Sequence, residues 1–341
     1  MSSAAAQEWN RGKVKTPPGV TLQAIQLPVR DKLNAVSQAM ARIVSSDMPL
    51  VGQVSAHLLA MRGKLFRPTL LLLSSEVAEE PEEKAVTLAA TLELIHLATL
   101  VHDDAVDHSA LRRGMPTVNA LFSHQISVIM GDFLYSTALT HLVGVGDLAA
   151  LQALTRASTE MTLGEMRQLA VTEPLRFTER EYYDLIRSKT ASLMRTACEL
   201  GALAGARKYS GPLGDFGENL GMAFQIADDL LDYREEMETT GKPSGLDLRE
   251  HKVTLPLIHA LREMSSSSRK EVERLFDSDA VTDGDIASVA RIVEENGGFD
   301  YARERGEEYA ERAHGALADL PDTVARRSLA ASISYVMERH S

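Results

Sequence analysis

Ile95-His96-Leu97-Ala98-Thr99-Leu100-Val101-His102-Asp103-Asp104-Ala105-Val106-Asp107 puts three aspartates at the end of a long apolar run. The run lacks strand-like alternation and is too long for an ordinary strand, so it reads as a helix. Residues four apart share a helix face, which stacks Asp103 on Asp107. The pattern returns at Ala227-Asp228-Asp229-Leu230-Leu231-Asp232, stacking Asp228 on Asp232. Like charges at that spacing weaken a helix unless a cation lies between them. One acidic cluster is ordinarily a solvated face. Two identical ones, each set in an otherwise apolar helix, point instead to cation sites. Oxygen-only donors suit Mg²⁺ or Mn²⁺ rather than zinc.

The helical pattern extends over nearly all of the chain. Aromatic residues are only 5%, and Gly and Pro gather at breaks. Helices are expected at residues 82–113 (stopped by Gly114-Met115-Pro116), 123–143, 148–171, 212–236 and 252–264. Another runs over 178–204, opened by a capping box of Thr178 with Glu181. Residues 265–268 read as an exposed connection, followed by three shorter amphipathic helices. Residues 1–20 are polar, contain Pro17-Pro18-Gly19, and are expected to form a disordered lead-in. Residues 21–341 are then one all-α domain, a helical bundle of about ten helices.

Composition removes several classes. Lys and Arg total 36 against 48 Asp and Glu, a net charge of −12, which argues against a nucleic-acid binder. The single Cys198 leaves no disulfide framework and fits a reducing compartment. No stretch reaches about 18 consecutive apolar residues, so no transmembrane segment is expected. The first residues lack the apolar core of a signal peptide. A soluble, cytoplasmic protein is the expectation.

Basic residues accompany the aspartates. Arg112-Arg113-Gly114 follows the first cluster, Gly63-Lys64-Leu65-Phe66-Arg67-Pro68 precedes it, Lys189-Thr190 is mid-chain, and Lys242 and Lys252 flank the segment after the second cluster. Cations beside carboxylate-bound metal suggest a polyphosphate site, where metal and side chains neutralise anionic oxygens together. His96 lies seven residues before Asp103, about two turns away on the same face.

On these residues the chain resembles the trans-isoprenyl diphosphate synthases, particularly the polyprenyl branch. The likeness runs from about Gly63 to Pro256 and is strongest at the two aspartate motifs and at Gly245-Leu246-Asp247-Leu248 with Lys252-Val253-Thr254-Leu255-Pro256. It departs from the family at Arg62 and Leu65, where a glycine and a basic residue are usual, and at His251, where a glycine is usual. The resemblance implies an isoprenoid-synthase bundle with a central apolar cavity, and a Mg²⁺-dependent condensation (Mn²⁺ as an alternative ion) of isopentenyl diphosphate with an allylic diphosphate.

Residue by residue, it implies that Asp103, Asp107 and Asp228 hold metal, with Asp104, Asp229 and Asp232 as further ligands or their supports. Arg112, Lys189 and Lys252 would grip the allylic diphosphate, with Lys242 nearby. Thr190 and Gln225 would meet the developing allylic cation. Lys64, Arg67, His96 and Arg113 would bind isopentenyl diphosphate. No general base is assigned. The resemblance also implies a homodimer, for which the apolar stretch 123–143 is the candidate interface, and a product passed on to a membrane. Small residues at Ala98 and Thr99, one turn below Asp103, imply a deep cavity floor and long products, roughly C30 to C50 at about one helix turn per isoprene unit.

Other readings compete. A short-chain farnesyl or geranylgeranyl diphosphate synthase differs only in that floor. A class I terpene cyclase carries a mixed second metal motif, unlike the repeat here. A non-catalytic synthase subunit usually lacks the clusters. A di-iron carboxylate bundle is suggested by two Glu-x-x-His spacings, Glu93 with His96 and Glu311 with His314, but it leaves the basic residues without a role.

Overall fold

The structure is a computed structural model, and it describes residues 20–61, 63–234, 245–278 and 280–338. Helices of eight or more residues run in chain order as α1 (Arg30–Ile43), α2 (Pro49–Ala60), α3 (Phe66–Ser75), α4 (Lys84–Val106), α5 (His124–Val145), α6 (Leu148–Leu169), α7 (Glu179–Ile186), α8 (Ser192–Leu203), α9 (Ser210–Arg234), α10 (Leu255–Glu263), α11 (Ser266–Phe276), α12 (Asp283–Glu295), α13 (Gly298–Ala316) and α14 (Val324–Met337). The fold is all-α. Among the described residues the only ladder is β1 (Leu111–Arg112) paired antiparallel with β2 (Met115–Pro116).

α4 is the central element. Leu88, Leu92, Leu94, Ile95, Ala98 and Val101 are all buried, and they point to several sides of the helix. A helix apolar all round must be wrapped by others; α5, α3 and α1 pack on it. α9 lies between α8 and α13. A large apolar core spans the N-terminal helices and continues into α8 and α9, and a smaller one joins α10 to α13. The two aspartate motifs therefore end helices that lie within the packed body.

Local signals were mostly honoured. Thr178 and Glu181 form the expected capping box, with Glu181 Oε2 accepting from Thr178 N at 2.8 Å. Ser123 caps α5, and Gly146 ends it in the left-handed conformation that glycine adopts freely.

Four expectations need correction. The first aspartate helix stops at Val106, not at residue 113: His108 (φ 51°) and Arg113 (φ 53°) take left-handed backbone, and the chain turns into the β1–β2 hairpin through Arg113-Gly114. Two adjacent positive φ angles suit a two-residue hairpin turn. Residues 252–254 precede α10 rather than belonging to it. Ser265 is no connection but the N-cap of α11, its hydroxyl accepting from Ser268 N at 3.2 Å. Four helices follow, not three.

Two helices, Lys84–Val106 and His124–Val145, are long and apolar enough to cross a membrane, contrary to the expectation that no stretch reaches that length. The expectation counted unbroken apolar runs, whereas a helix of that mean hydropathy tolerates a few polar residues. The most apolar window of α4 is 56% buried, as befits a core helix; that of α5 is only 28% buried. Residues 1–19, most of the expected lead-in, lie outside the described residues.

Candidate active site

A cavity of about 640 Å³ opens between the ends of α6, α7, α9 and the segment before α10. Asp107 from the first cluster and Asp229 from the second line it, together with Lys189, Thr190, Gln225 and Lys252. Residues more than a hundred positions apart are thus brought to one mouth.

The six aspartates divide into two sets. Asp107 and Asp228 are exposed and Asp103 is half-buried. Burial pushes the Asp103 carboxyl up to about 6, with Glu165 adding to the rise and Lys189 and Arg112 opposing it. The donors that hold Asp104, Asp229 and Asp232 are specific. Asp104, 4% exposed, receives Arg112 Nε at 2.8 and 2.9 Å on its two oxygens. Asp229, 5% exposed, accepts from Tyr182 Oη at 2.6 Å and from Gln225 Nε2 at 2.8 Å. Asp232 accepts the backbone N–H groups of Leu246 and Asp247, both at 3.0 Å.

The donor set fits a hard divalent cation. Among the described residues no three His, Cys, Asp or Glu side chains form a ready cage. Mg²⁺ accepts that arrangement, since it binds one or two carboxylates and completes its octahedron with water and substrate phosphate. The same observation disposes of the di-iron reading: Glu311 and His314 are exposed on α13, and His96 is engaged elsewhere.

Lys189 and Thr190 sit in a π-helical turn, Arg187–Ala191, that joins α7 to α8. Such single turns carry one residue more than an α-helix needs and are frequent at functional sites. Lys189 Nζ is gripped from α6 by Glu165 at 2.5 Å and Gln168 Oε1 at 2.7 Å. Thr190 Oγ1 donates to Gln225 Oε1 at 2.8 Å. Lys252 pairs with Glu250 at 2.5 Å; burial works against its charge, but the Glu250 carboxylate prevails and holds the ammonium above its ordinary value. Lys242 lies outside the described residues.

A second group stands near the start of α3. Arg67 Nη1 lies 2.9 Å from His96 Nε2. Arginine only donates, so His96 Nε2 accepts and its proton is on Nδ1. Burial, reinforced by Arg67, Arg113 and Arg112, keeps that imidazole neutral. Arg113 Nη1 donates to Met61 O at 3.0 Å, and its guanidinium fills the space that a Cβ on Gly63 would occupy, at 2.8 Å. Lys64 is exposed. His96, Arg113 and Gly63 share a small cavity of about 80 Å³ with Glu93. Ala98 is buried at 1% exposure, and Thr99 Oγ1 donates to His96 O at 2.8 Å within its own helix.

Residues 48–293 match the polyprenyl synthetase family. The chain belongs to that family. It is 38% identical to an all-trans-nonaprenyl-diphosphate synthase (geranyl-diphosphate specific) of Rhodobacter capsulatus, over 93% of this chain and 98% of that one. Its fold matches a decaprenyl diphosphate synthase from Rhodobacter capsulatus at a TM-score of 0.88 and 34% identity, covering 94% of this chain and 100% of that one. It equally matches a polyprenyl synthase from Caulobacter crescentus CB15 complexed with calcium and isoprenyl diphosphate, at 0.88 and 33% identity over 94% and 98%. As a polyprenyl synthase the protein is a prenyltransferase that condenses isopentenyl diphosphate with an allylic diphosphate, in a family that depends on divalent metal.

Sequence reasoning gave no role to Tyr182, Glu165, Gln168 or Glu250, and quoted Asp247 without one. Burial pushes Asp247 up to about 7, with Asp232 adding to the rise. None of these carries a local signal: Glu165 and Gln168 are ordinary helix residues until α6 is laid against Lys189.

Proposed function

We propose that this polyprenyl synthase uses Asp103, Asp107 and Asp228 to hold Mg²⁺, acts as a homodimer, and releases a long-chain product. The observation that carries the reading is the single cavity lined by Asp107, Asp229, Lys189 and Lys252. When bound, the metal neutralises the charge that builds on the departing diphosphate. Arg112, Lys189 and Lys252 add fixed positive charge at the same place, and their acidic partners Asp104, Glu165 and Glu250 hold them there. Gln225 and Thr190 present oxygen lone pairs to the allylic carbon as the bond to diphosphate breaks. Arg67 and Arg113, with neutral His96 and exposed Lys64, receive isopentenyl diphosphate. Its double bond attacks the allylic carbon as the bond to diphosphate breaks, and the proton then lost passes to the released diphosphate, so no side chain is assigned as base.

For the dimer, support comes from α5, where Val128, Ile129 and Val143 are exposed, and from Leu163 and Met166 on the adjacent α6. A cytoplasmic enzyme whose lipid product passes to a membrane follows from the same reading. For product length, support comes from the small Ala98 and Thr99 below Asp103. Incubating the protein with labelled isopentenyl diphosphate, farnesyl diphosphate and Mg²⁺ and sizing the products tests all of the chemistry. Products well beyond geranylgeranyl diphosphate are expected, and Ala98→Phe should shorten them, because a ring and a growing chain cannot share a close-packed space. Termination of the wild type at farnesyl or geranylgeranyl diphosphate would establish the short-chain reading.

A further inference from the structure

Tyr182 is 2% exposed, and a buried phenol needs a partner for its hydroxyl. The partner is Asp229, at 2.6 Å and 47 residues along the chain. The other Asp229 oxygen accepts from Gln225 Nε2, and Gln225 Oε1 accepts from Thr190 Oγ1, each at 2.8 Å. The hydrogens in this line are assigned by chemistry. Burial, reinforced by Asp247, pushes the Asp229 carboxyl well above its usual range. The two donors on it, Tyr182 Oη and Gln225 Nε2, oppose that rise by favouring the carboxylate. With one donor on each oxygen, the carboxylate only accepts. Gln225 must therefore turn its NH₂ to Asp229 and its carbonyl oxygen to Thr190. A side-chain amide is otherwise free to flip; the carboxylate removes that freedom.

We infer that Tyr182 is a positioning residue: by anchoring Asp229 it fixes the Gln225 amide with its oxygen toward the allylic carbon. This rests on the proposed role of Gln225 and Thr190. Thr190 gives its proton to Gln225, so lone pairs on both oxygens remain to face positive charge. Dipoles fixed before the reaction need no reorganisation when that charge appears.

The backbone is arranged for this line. Tyr182 and Thr190 are eight residues apart on one continuous helix, which in regular α winding leaves them about 80° apart around the axis. The wider π turn at Arg187–Ala191 reduces that angle, so both residues reach α9. α9 comes close there: a Cβ on Gly221 would lie 2.5 Å from Ala191 Cα. A bulkier residue at either place would part the two helices that the line connects.

Tyr182→Phe keeps the ring and removes one hydroxyl. With isopentenyl and farnesyl diphosphates and Mg²⁺, kcat should fall about tenfold to a hundredfold while KM for each substrate stays within about twofold. In a Gln225→Leu background the same change should cost nothing further, because no amide is left to orient. An unchanged kcat, a raised KM, or a loss that adds to that of Gln225→Leu overturns the assignment. Asp229→Asn is a second arm that stands even if Tyr182→Phe does not fold. It should lower kcat with the Mg²⁺ concentration dependence unmoved; a shifted Mg²⁺ requirement would make Asp229 a ligand and overturn the line. A wild-type protein that transfers no prenyl group would overturn the functional reading instead, a result these variants do not mimic.

Discussion

At the end of α4, Asp104 holds a cation: both of its oxygens face Arg112 Nε. At the matching position of α9, Asp229 holds two neutral groups, Tyr182 and Gln225. The last aspartates differ as well. Asp107 stands exposed at the C-cap of α4, whereas Asp232 fastens the backbone of Leu246 and Asp247. The first motif thus ends on an exposed carboxylate at the cavity, the second on one that fastens the backbone following it. The spacing of the aspartates settles only which of them share a helix face; the partner brought by the rest of the fold settles what each one does.

The comparison predicts common ground at the leading aspartates. Asp103→Ala and Asp228→Ala should each lower turnover by about three orders of magnitude or more, and a chelator should abolish activity that Mg²⁺ restores. A loss of less than tenfold in either variant would break the proposed equivalence of the two metal-holding positions.

The middle aspartates should then part. Asp104→Asn should act through Arg112, raising KM for the allylic diphosphate about tenfold or more. Its effect should vanish in an Arg112→Ala background. The Asp229 variant, by contrast, should lower kcat. Steady-state kinetics with both substrates varied separates these outcomes.

The last aspartates should divide activity from stability. Asp232→Ala removes two backbone hydrogen bonds and should cost about 1–3 kcal/mol of unfolding free energy. Asp107→Ala should slow turnover with its melting temperature unmoved. Chemical denaturation of both variants tests the contrast, and equal stability would collapse it.

The smallest effect concerns Asp103 without metal. Its carboxyl rises from 3.8 to about 6 on folding, so the folded state binds the proton more tightly than the unfolded chain does. Stability is therefore lost as pH climbs from about 4 through 6 and stays lost above. Asp103→Asn should raise the melting temperature of the metal-free protein at pH 8 by a few degrees and leave it unchanged at pH 4. Differential scanning calorimetry at the two pH values decides the sign.

What could be read in advance followed the range of the interactions involved. The aspartate faces and the Thr178–Glu181 box span three or four residues, and local spacing reveals them. The β1–β2 hairpin was missed because its turn puts Arg113 in the left-handed region, a residue type that gives no warning of positive φ. The π turn was invisible since an extra helical residue leaves no compositional trace. Glu165 and Gln168 could not be linked to Lys189 without knowing that α6 packs beside it. Membrane-length α4 was missed by counting unbroken apolar residues instead of averaging over a helix.

The π turn between α7 and α8 also has a consequence for insertion and deletion. Removing one residue from Arg187–Ala191 would restore regular winding with the two flanks facing much as they do now, because the wider turn already absorbs one residue's worth of rotation. Tyr182 before the turn and Leu193 and Met194 after it are all buried, so both flanks are pinned. A shortened chain could keep both in place, the phenol on Asp229 and the apolar side chains in the core. What the deletion removes is the wide turn itself, and with it the placement of Lys189 and Thr190 at the cavity.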